Sequence, residues 1–218
     1  MVSWKMVQIV SCVTHLEELM RPLRERIEVW REYIKISKAG QIARRAFANN
    51  SFDGVLTMIG VVMGSFVVGV DNPTVVLVTG LSTALAIGIS GGWGAYLTES
   101  AERRHEIGEL ERFTLTDLQD TKIGKASRTA VVLVAAVDGL SPFLSALLVV
   151  VPFFMAPLLP SVAYAYYASI GMALLALFGL GIYLGRISKE NLIMSGFKTT
   201  IAGVVCMMLS YLLEQLAS

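Results

Sequence analysis

Five long apolar stretches dominate this 218-residue sequence, and the segments between them hold nearly all of its charge. The stretches run roughly over Phe52–Val70, Thr74–Leu97, Thr129–Pro157, Val162–Gly185 and Leu192–Leu213. Each is long enough, at about 1.5 Å of helix rise per residue, to cross roughly 30 Å of hydrocarbon. Because 55% of the residues are also hydrophobic and the mean hydropathy is +0.64, the pattern predicts an all-α integral membrane protein with five transmembrane helices.

The charged segments divide the predicted protein into four regions. Residues 1–50 mix basic and acidic residues with apolar and aromatic ones, which predicts a cytoplasmic or interfacial amphipathic helical segment. Residues 51–97 hold transmembrane helices one and two, and residues 98–128 form a short, acidic, helical cytoplasmic loop. Residues 129–218 hold helices three to five, and three prolines predict a kink or tilt in helix three.

All 18 Lys and Arg residues fall in alternate segments of the chain. Nine lie in residues 1–50, six in residues 98–128, and three at Arg186, Lys189 and Lys198. Since cytoplasmic loops carry the excess of Lys and Arg, this distribution predicts a multi-pass protein with a cytoplasmic N-terminus and a C-terminus on the opposite side of the membrane.

The composition also argues against several functional classes. The formal net charge of +1 lacks the basic excess of nucleic-acid-binding proteins, so we expect membrane lipid and not nucleic acid as a partner. Cys12 and Cys206 have no metal-ligand spacing around them and are interpreted as plain thiols. No nucleophile–base motif or phosphate-binding loop accompanies the two histidines, His15 and His105, so transport is favoured over enzyme activity.

Two carboxylates interrupt the apolar stretches, and both are candidate functional residues. Asp53 lies at the start of helix one, and Asp138 lies within helix three. A charged group inside a membrane costs several kcal/mol unless it is solvated or paired, so such residues mark ion or proton pathways by default. The alternative for Asp53 is a helix N-cap beside the polar residues 49–51. The alternative for Asp138 is a polar partner of a broken helix.

The cytoplasmic loop begins with a stripe of acidic residues. On a helix, Glu99, Glu102, Glu106 and Glu109 share one face, and His105 lies at its edge. Like charges at this spacing destabilise a helix, so either neighbouring arginines or a bound cation must compensate. Oxygen donors with one imidazole suit Fe(II), Mn(II) or Zn(II). The alternative is a solvated charged helix.

Glycine pairs four residues apart occur in three of the predicted spans, at Gly60 with Gly64, Gly88 with Gly92, and Gly181 with Gly185. Such pairs allow helix backbones to approach closely, and they predict tight helix packing or dimerisation. The alternative is that small residues are simply common in membrane helices.

Several motifs resemble those of the vacuolar iron transporter family, over most of residues 45–215. Asp53-Gly54 resembles the Asp-Gly of the family, whose aspartate lies on the ion path. The segment Ser90–Leu97 is similar to Ser-Met-Gly-Leu-Gly-Gly-Tyr-Leu, and the spacing from Glu102 to His105 resembles a Glu-x-x-His that follows in some members. Pro142 falls where the family has a proline in helix three.

The resemblance implies a homodimer in which helices one and two line a route for divalent iron or manganese out of the cytoplasm, exchanged for protons. It implies no tightly bound cofactor, only the transported metal. The sequence departs from the family at Gly91, where members have methionine, at Thr83, where they have an acid, and at Asp138, where they have glycine. We therefore hypothesise that a carboxylate has moved to helix three, so that Asp53 and Asp138 form the intramembrane pair.

These observations predict a proton-coupled transporter of a divalent transition metal. Its predicted metal-binding residues are Asp53, Asp138, Glu99, Glu102, His105, Glu106 and Glu109. The departures from the family leave two alternatives open: a membrane metal-binding or assembly protein of the same fold that does not transport, and a transporter of another small solute.

Overall fold

The protein is described here by a computed structural model of residues 27–217. Residues 27–36 are helical, and five long helices follow: α1 (Ala39–Val67), α2 (Pro73–Thr114), α3 (Lys122–Phe154), α4 (Val162–Ser188) and α5 (Leu192–Ala217). A single 3₁₀ turn, Ala156–Leu158, follows α3. All five helices are long and apolar enough to cross a membrane, which confirms the predicted all-α membrane class. The first 26 residues of the predicted amphipathic segment, with Cys12 and His15, lie outside the described part.

Helix α1 begins well before the predicted start of the first span. Lys38 adopts a left-handed backbone conformation, with φ of 53°, which separates the preceding helical turns from α1. The helix then runs without a break from Ala39 through the polar residues 49–51. Asp53 therefore lies in the middle of α1, and its interpretation as a helix N-cap is wrong.

The described residues form two compact units, and the larger, here called the helical unit, comprises residues 41–99 and 133–217. Its core contains the fully buried side chains of Met58, Phe153 and Leu177, contributed by three different helices. The ring of Phe153 packs edge-on against that of Tyr166, with centroids 4.9 Å apart. The hydroxyl of Tyr166 donates a hydrogen bond of 2.8 Å to the carbonyl oxygen of Val70, which connects α4 to the loop after α1.

Two of the three predicted glycine faces pack inside the chain. A Cβ atom added to Gly139 of α3 would lie 2.8 Å from the carbonyl oxygen of Gly88 and 3.1 Å from Cα of Gly92, so α2 and α3 cross in backbone contact. A Cβ atom at Gly185 would lie 2.8 Å from Oγ of Ser195, where α4 meets α5. These approaches confirm the tight helix packing predicted from the glycine spacing.

The smaller unit, here called the loop unit, contains residues 27–40 and 100–132 of the described part. In its described part, Nζ of Lys122 donates a hydrogen bond of 2.8 Å to the carboxylate of Glu32. The guanidinium of Arg103 donates to the carbonyl oxygen of Ser37, at 3.4 Å. Residues preceding α1 are thus connected to the predicted cytoplasmic loop by polar contacts.

Candidate functional site: an open polar face and a polar cavity

Asp53 lies on a face of α1 that no other described part of the helical unit covers. Its side chain is exposed, and Thr57, Gly60 and Gly64 follow it at helical spacing on the same face. A Cβ atom added to Gly60 or Gly64 would meet no atom within 4 Å. The hydroxyl of Thr57 donates to the carbonyl oxygen of Asp53, at 2.9 Å, and so leaves the carboxylate available. This open face of α1 combines one carboxylate with small residues.

Helix α2 carries a similar stripe. Thr79, Thr83, Ala86, Ser90 and Gly94 repeat every three or four residues, and all of them are exposed or half-exposed. They are small or carry a hydroxyl group, unlike the large aliphatic side chains that cover most lipid-facing helix surfaces.

Helix α3 provides the contrast within the same unit. Its exposed face consists of large aliphatic side chains such as Leu140, Leu144 and Leu148, which are 56%, 57% and 42% exposed. Large apolar groups suit contact with lipid chains, whereas hydroxyls, glycines and a carboxylate suit contact with another protein surface or with water. The open faces of α1 and α2 therefore have the composition of an interface or an aqueous route.

Asp138 has a different environment from Asp53. The side-chain amide of Asn50 in α1 donates a hydrogen bond of 2.7 Å to Oδ1 of Asp138 in α3. The close crossing of α2 and α3 fixes the position of the Asp138 backbone, because a Cβ atom added to Gly91 would lie 2.7 Å from its carbonyl oxygen. Asn50 thus supplies a polar partner for a carboxylate that interrupts an apolar helix.

Asp138 also faces a cavity of about 470 Å³ between α1, α2 and α3. The residues that line it are Ile42, Arg45, Ala46, Asn49, Asn50, Ala95, Thr98, Glu99, Val134 and Asp138. All of these residues belong to the helical unit. The carboxylates of Glu99 and Asp138 both belong to this lining. The cavity therefore brings together two of the predicted metal ligands that are far apart in the sequence.

The other predicted ligands lie elsewhere. Asp53 does not line the cavity, and the described partner of Asp138 is Asn50. Glu102, His105, Glu106 and Glu109 lie in the loop unit, on the exposed surface of α2.

Within that exposed stripe, one neighbouring arginine provides part of the expected charge compensation. The guanidinium of Arg103 pairs with the carboxylate of Glu106 at 3.1 Å, one helical turn away. Among residues 27–217, no group of three or more His, Cys, Asp or Glu side chains is arranged to hold a metal ion.

Sequence reasoning missed the polar partners in the cavity. It interprets Asn49 and Asn50 only as neighbours of a helix cap, and Arg45 only as part of the basic N-terminal segment. Helical spacing provided no signal for this, because residues three apart, such as Asn50 and Asp53, ordinarily share one face of a helix. The pairing of Asn50 with Asp138 has no counterpart in sequence spacing, because 88 residues separate the two.

Comparison with known proteins adds to this geometry. Residues 45–123 and 114–215 match the VIT family, and together these segments include all five spans almost completely. The chain belongs to the VIT family. A protein of Methanocaldococcus jannaschii, named as uncharacterised, is 31% identical over 179 residues, which is 81% of this chain and 91% of that protein. Membership of the VIT family indicates a multi-pass membrane transporter of metal ions.

The structure explains one departure from the motifs of the VIT family. Gly91, which the resemblance matches to a methionine of the family, faces the backbone of α3 at Asp138. A side chain there would force α2 and α3 apart, so this protein has no room for a thioether ligand at that position. Thr83 lies on the open stripe of α2, with its hydroxyl donating to the carbonyl oxygen of Thr79 at 2.8 Å.

Proposed function

We propose that the protein is a homodimeric, proton-coupled transporter that moves divalent iron or manganese out of the cytoplasm. In this proposal Asp53 of each copy lines the route, and the exposed acidic stripe of the loop unit collects metal first. The protein acts as a transporter and not as an enzyme. The observation that carries the proposal is the exposure of Asp53 on a face of small and polar residues.

The exposed carboxylate supports a dimer. A charge that faces lipid within a span costs several kcal/mol, so the open face of α1 needs either a protein partner or water beside it. Gly60 and Gly64 leave space on the same face for a second helix to approach closely. Two copies that pack through α1 and α2 would place two Asp53 carboxylates and several hydroxyl groups around one aqueous route.

This set of ligands suits reversible binding of a hard or borderline cation. A carboxylate binds a divalent cation when it is ionised and releases it when it is protonated, so one residue couples metal release to proton uptake. The hydroxyl oxygens of Thr57, Thr83 and Ser90 are neutral donors, which bind weakly enough for the ion to leave. The positive-inside distribution of Lys and Arg supports a cytoplasmic N-terminus and loop unit, which agrees with collection of metal on the cytoplasmic side.

The test is metal uptake into proteoliposomes with an imposed pH gradient. Fe(II), Mn(II) and Zn(II) are compared for wild-type protein, Asp53→Ala and Asp53→Asn, with Asp71→Asn as a matched control for an exposed carboxylate outside the spans. We expect both Asp53 variants to abolish the flux of iron and manganese and Asp71→Asn to retain it. A Glu102/Glu106→Ala double variant should raise the metal concentration for half-maximal flux and leave the maximal flux largely unchanged.

A second candidate function is metal binding or assembly without transport. The absence of a side chain at Gly91 and the neutral hydroxyl of Thr83 favour it, because neither position supplies a strong ligand. Flux no greater than that of empty liposomes, from folded wild-type dimer, would refute transport and support this alternative. Flux of another small solute without metal flux would support the remaining alternative, a transporter of that solute.

A further inference from the structure

The helical residues that precede α1, here called helix 27–36, separate their side chains into two halves by chemical type. At about 100° of rotation per residue, the apolar and aromatic side chains occupy one continuous half of the helix surface. They are Ile27, Val29, Trp30, Tyr33, Ile34 and Ile36. The other half carries the charged side chains, which are Glu28, Arg31, Glu32 and Lys35. Helix 27–36 is therefore amphipathic.

Most of the apolar half of helix 27–36 is uncovered. Ile27 and Trp30 are 51% and 49% exposed, and Val29 and Ile36 are each 42% exposed. A continuous apolar surface of this kind marks a face that a protein partner or a membrane covers. Helices that lie in the membrane interface combine such a face with charged residues on the opposite side. Tryptophan is enriched at the level of the lipid headgroups, so Trp30 favours a membrane as the partner.

Two connections hold helix 27–36 beside points where the chain enters the membrane. The left-handed residue Lys38 separates it from α1, the first span, which begins at the next residue. The carboxylate of Glu32 accepts the hydrogen bond of 2.8 Å from Nζ of Lys122, the first residue of α3. Lys122 precedes the apolar stretch that begins at Thr129 by about 10 Å of helix. Because the headgroup layer is about 5–8 Å thick on each side of the hydrocarbon, helix 27–36 is within reach of it.

The charges around helix 27–36 suit an anionic lipid surface. The ammonium group of Lys122 pairs with the carboxylate of Glu32, so these two charges offset each other. The other charged residues from 27 to 38 are Glu28, Arg31, Lys35 and Lys38, with three positive charges against one negative. The cytoplasmic leaflet is negative and attracts basic segments that lie near a span. A second copy of the helix would carry the same positive excess, which argues against it as the partner.

We propose that helix 27–36 docks on the cytoplasmic surface of the bilayer that surrounds the spans, with its apolar half among the lipids and its basic residues against anionic headgroups. The same helix is connected to the rest of the loop unit, because the guanidinium of Arg103 donates to the carbonyl oxygen of Ser37 at 3.4 Å. Docking therefore restrains the loop unit, with its exposed acidic stripe, at the membrane surface. This inference does not depend on transport.

The test measures the membrane depth of single positions in the full-length protein, held in nanodiscs of phosphatidylcholine with or without phosphatidylglycerol. The two native cysteines are replaced by serine, and nitroxide labels are attached to one new cysteine at a time. Val29→Cys and Ile36→Cys report on the apolar half, and Glu28→Cys and Lys35→Cys are matched controls on the charged half. All four positions are exposed, so the labels should not disturb packing. Electron paramagnetic resonance compares collisions with oxygen, which dissolves in lipid, and with a neutral nickel chelate, which stays in water.

We expect the ratio of oxygen to nickel collisions to be severalfold higher at positions 29 and 36 than at positions 28 and 35. Phosphatidylglycerol should raise the ratio at positions 29 and 36, and Arg31→Gln should reduce that gain.

Three results would overturn the proposal. Equal ratios at all four positions would show that helix 27–36 lies in water. Few collisions with either reagent at positions 29 and 36 would show that protein covers the apolar half, either residues 1–26 or a second copy. The same ratios in both kinds of nanodisc would refute the contact with anionic headgroups.

Discussion

The contact between α2 and α3 at Gly139 allows a quantitative test of the packing. In Gly139→Ala, the new methyl carbon would lie 2.8 Å from the carbonyl oxygen of Gly88, where 3.4 Å is the lower limit of ordinary contact. The two helices must therefore separate by about 0.6 Å, and overpacking of this kind typically costs about 1–3 kcal/mol. The neighbouring atoms are backbone, so no side-chain rotation can relieve the contact.

A matched glycine isolates this cost. Gly179 lies in α4, and a Cβ atom added there would meet nothing within 4 Å. Both Gly139→Ala and Gly179→Ala gain the same helix propensity, about 1 kcal/mol in soluble hosts. The difference between the two variants should therefore be about 1–3 kcal/mol, with Gly139→Ala the less stable.

The assay is reversible unfolding in mixed micelles of dodecyl maltoside and sodium dodecyl sulfate, followed by circular dichroism. Gly139→Ala should unfold at a lower fraction of dodecyl sulfate than wild type, and Gly179→Ala at the same fraction or a higher one. Equal unfolding free energies for the two alanine variants would refute the backbone contact between α2 and α3. The same result would also contradict the packing that fixes the Asp138 backbone beside the cavity.

Three further predictions concern contacts between helices. Thr199→Val should lower the free energy of unfolding by about 0.6 kcal/mol, because it removes a hydrogen bond of 2.8 Å to the carbonyl oxygen of Leu177 in α4. The control in the same unfolding assay is Thr200→Val, which removes only a hydrogen bond within α5. Tyr166→Phe should cost about 1 kcal/mol by the same measure, since the bond to Val70 is lost, and an unchanged value would contradict that contact. Gly60→Ala should leave the unfolding free energy of the single chain unchanged or higher. It should weaken the dimer severalfold, measured by energy transfer between labelled copies of the protein in liposomes. Unchanged dimer affinity would place the interface elsewhere.

Much of the fold follows from the sequence because the membrane restricts the possible structures. Within hydrocarbon the backbone must satisfy its own hydrogen bonds, so long apolar stretches predict helices with few alternatives. The five spans are predictable for this reason, and the VIT family motifs near Asp53 and in residues 90–97 indicate the family. The start of α1 was not predicted, because residues 41–50 include charged and amide side chains and yet are compatible with a helix.

The arrangement of the candidate sites depends on the tertiary structure. Sequence spacing provides the same small-residue signal for all three glycine pairs, but only packing shows that Gly88 contacts α3 whereas Gly60 remains uncovered. Similar depth in the membrane suggests that Asp53 and Asp138 are partners, but helix rotation places Asp53 on an open face and Asp138 against Asn50.

The sequence by itself determined the class of protein, the number of spans, the family and the residue types available for binding a cation. The tertiary structure alone decided that Glu99 and Asp138 share a cavity. The physical reason is that periodicity within one helix specifies which residues share a face, whereas the partner of that face depends on how separate helices rotate and cross. Close contact at Gly91 and Gly139 sets that crossing here.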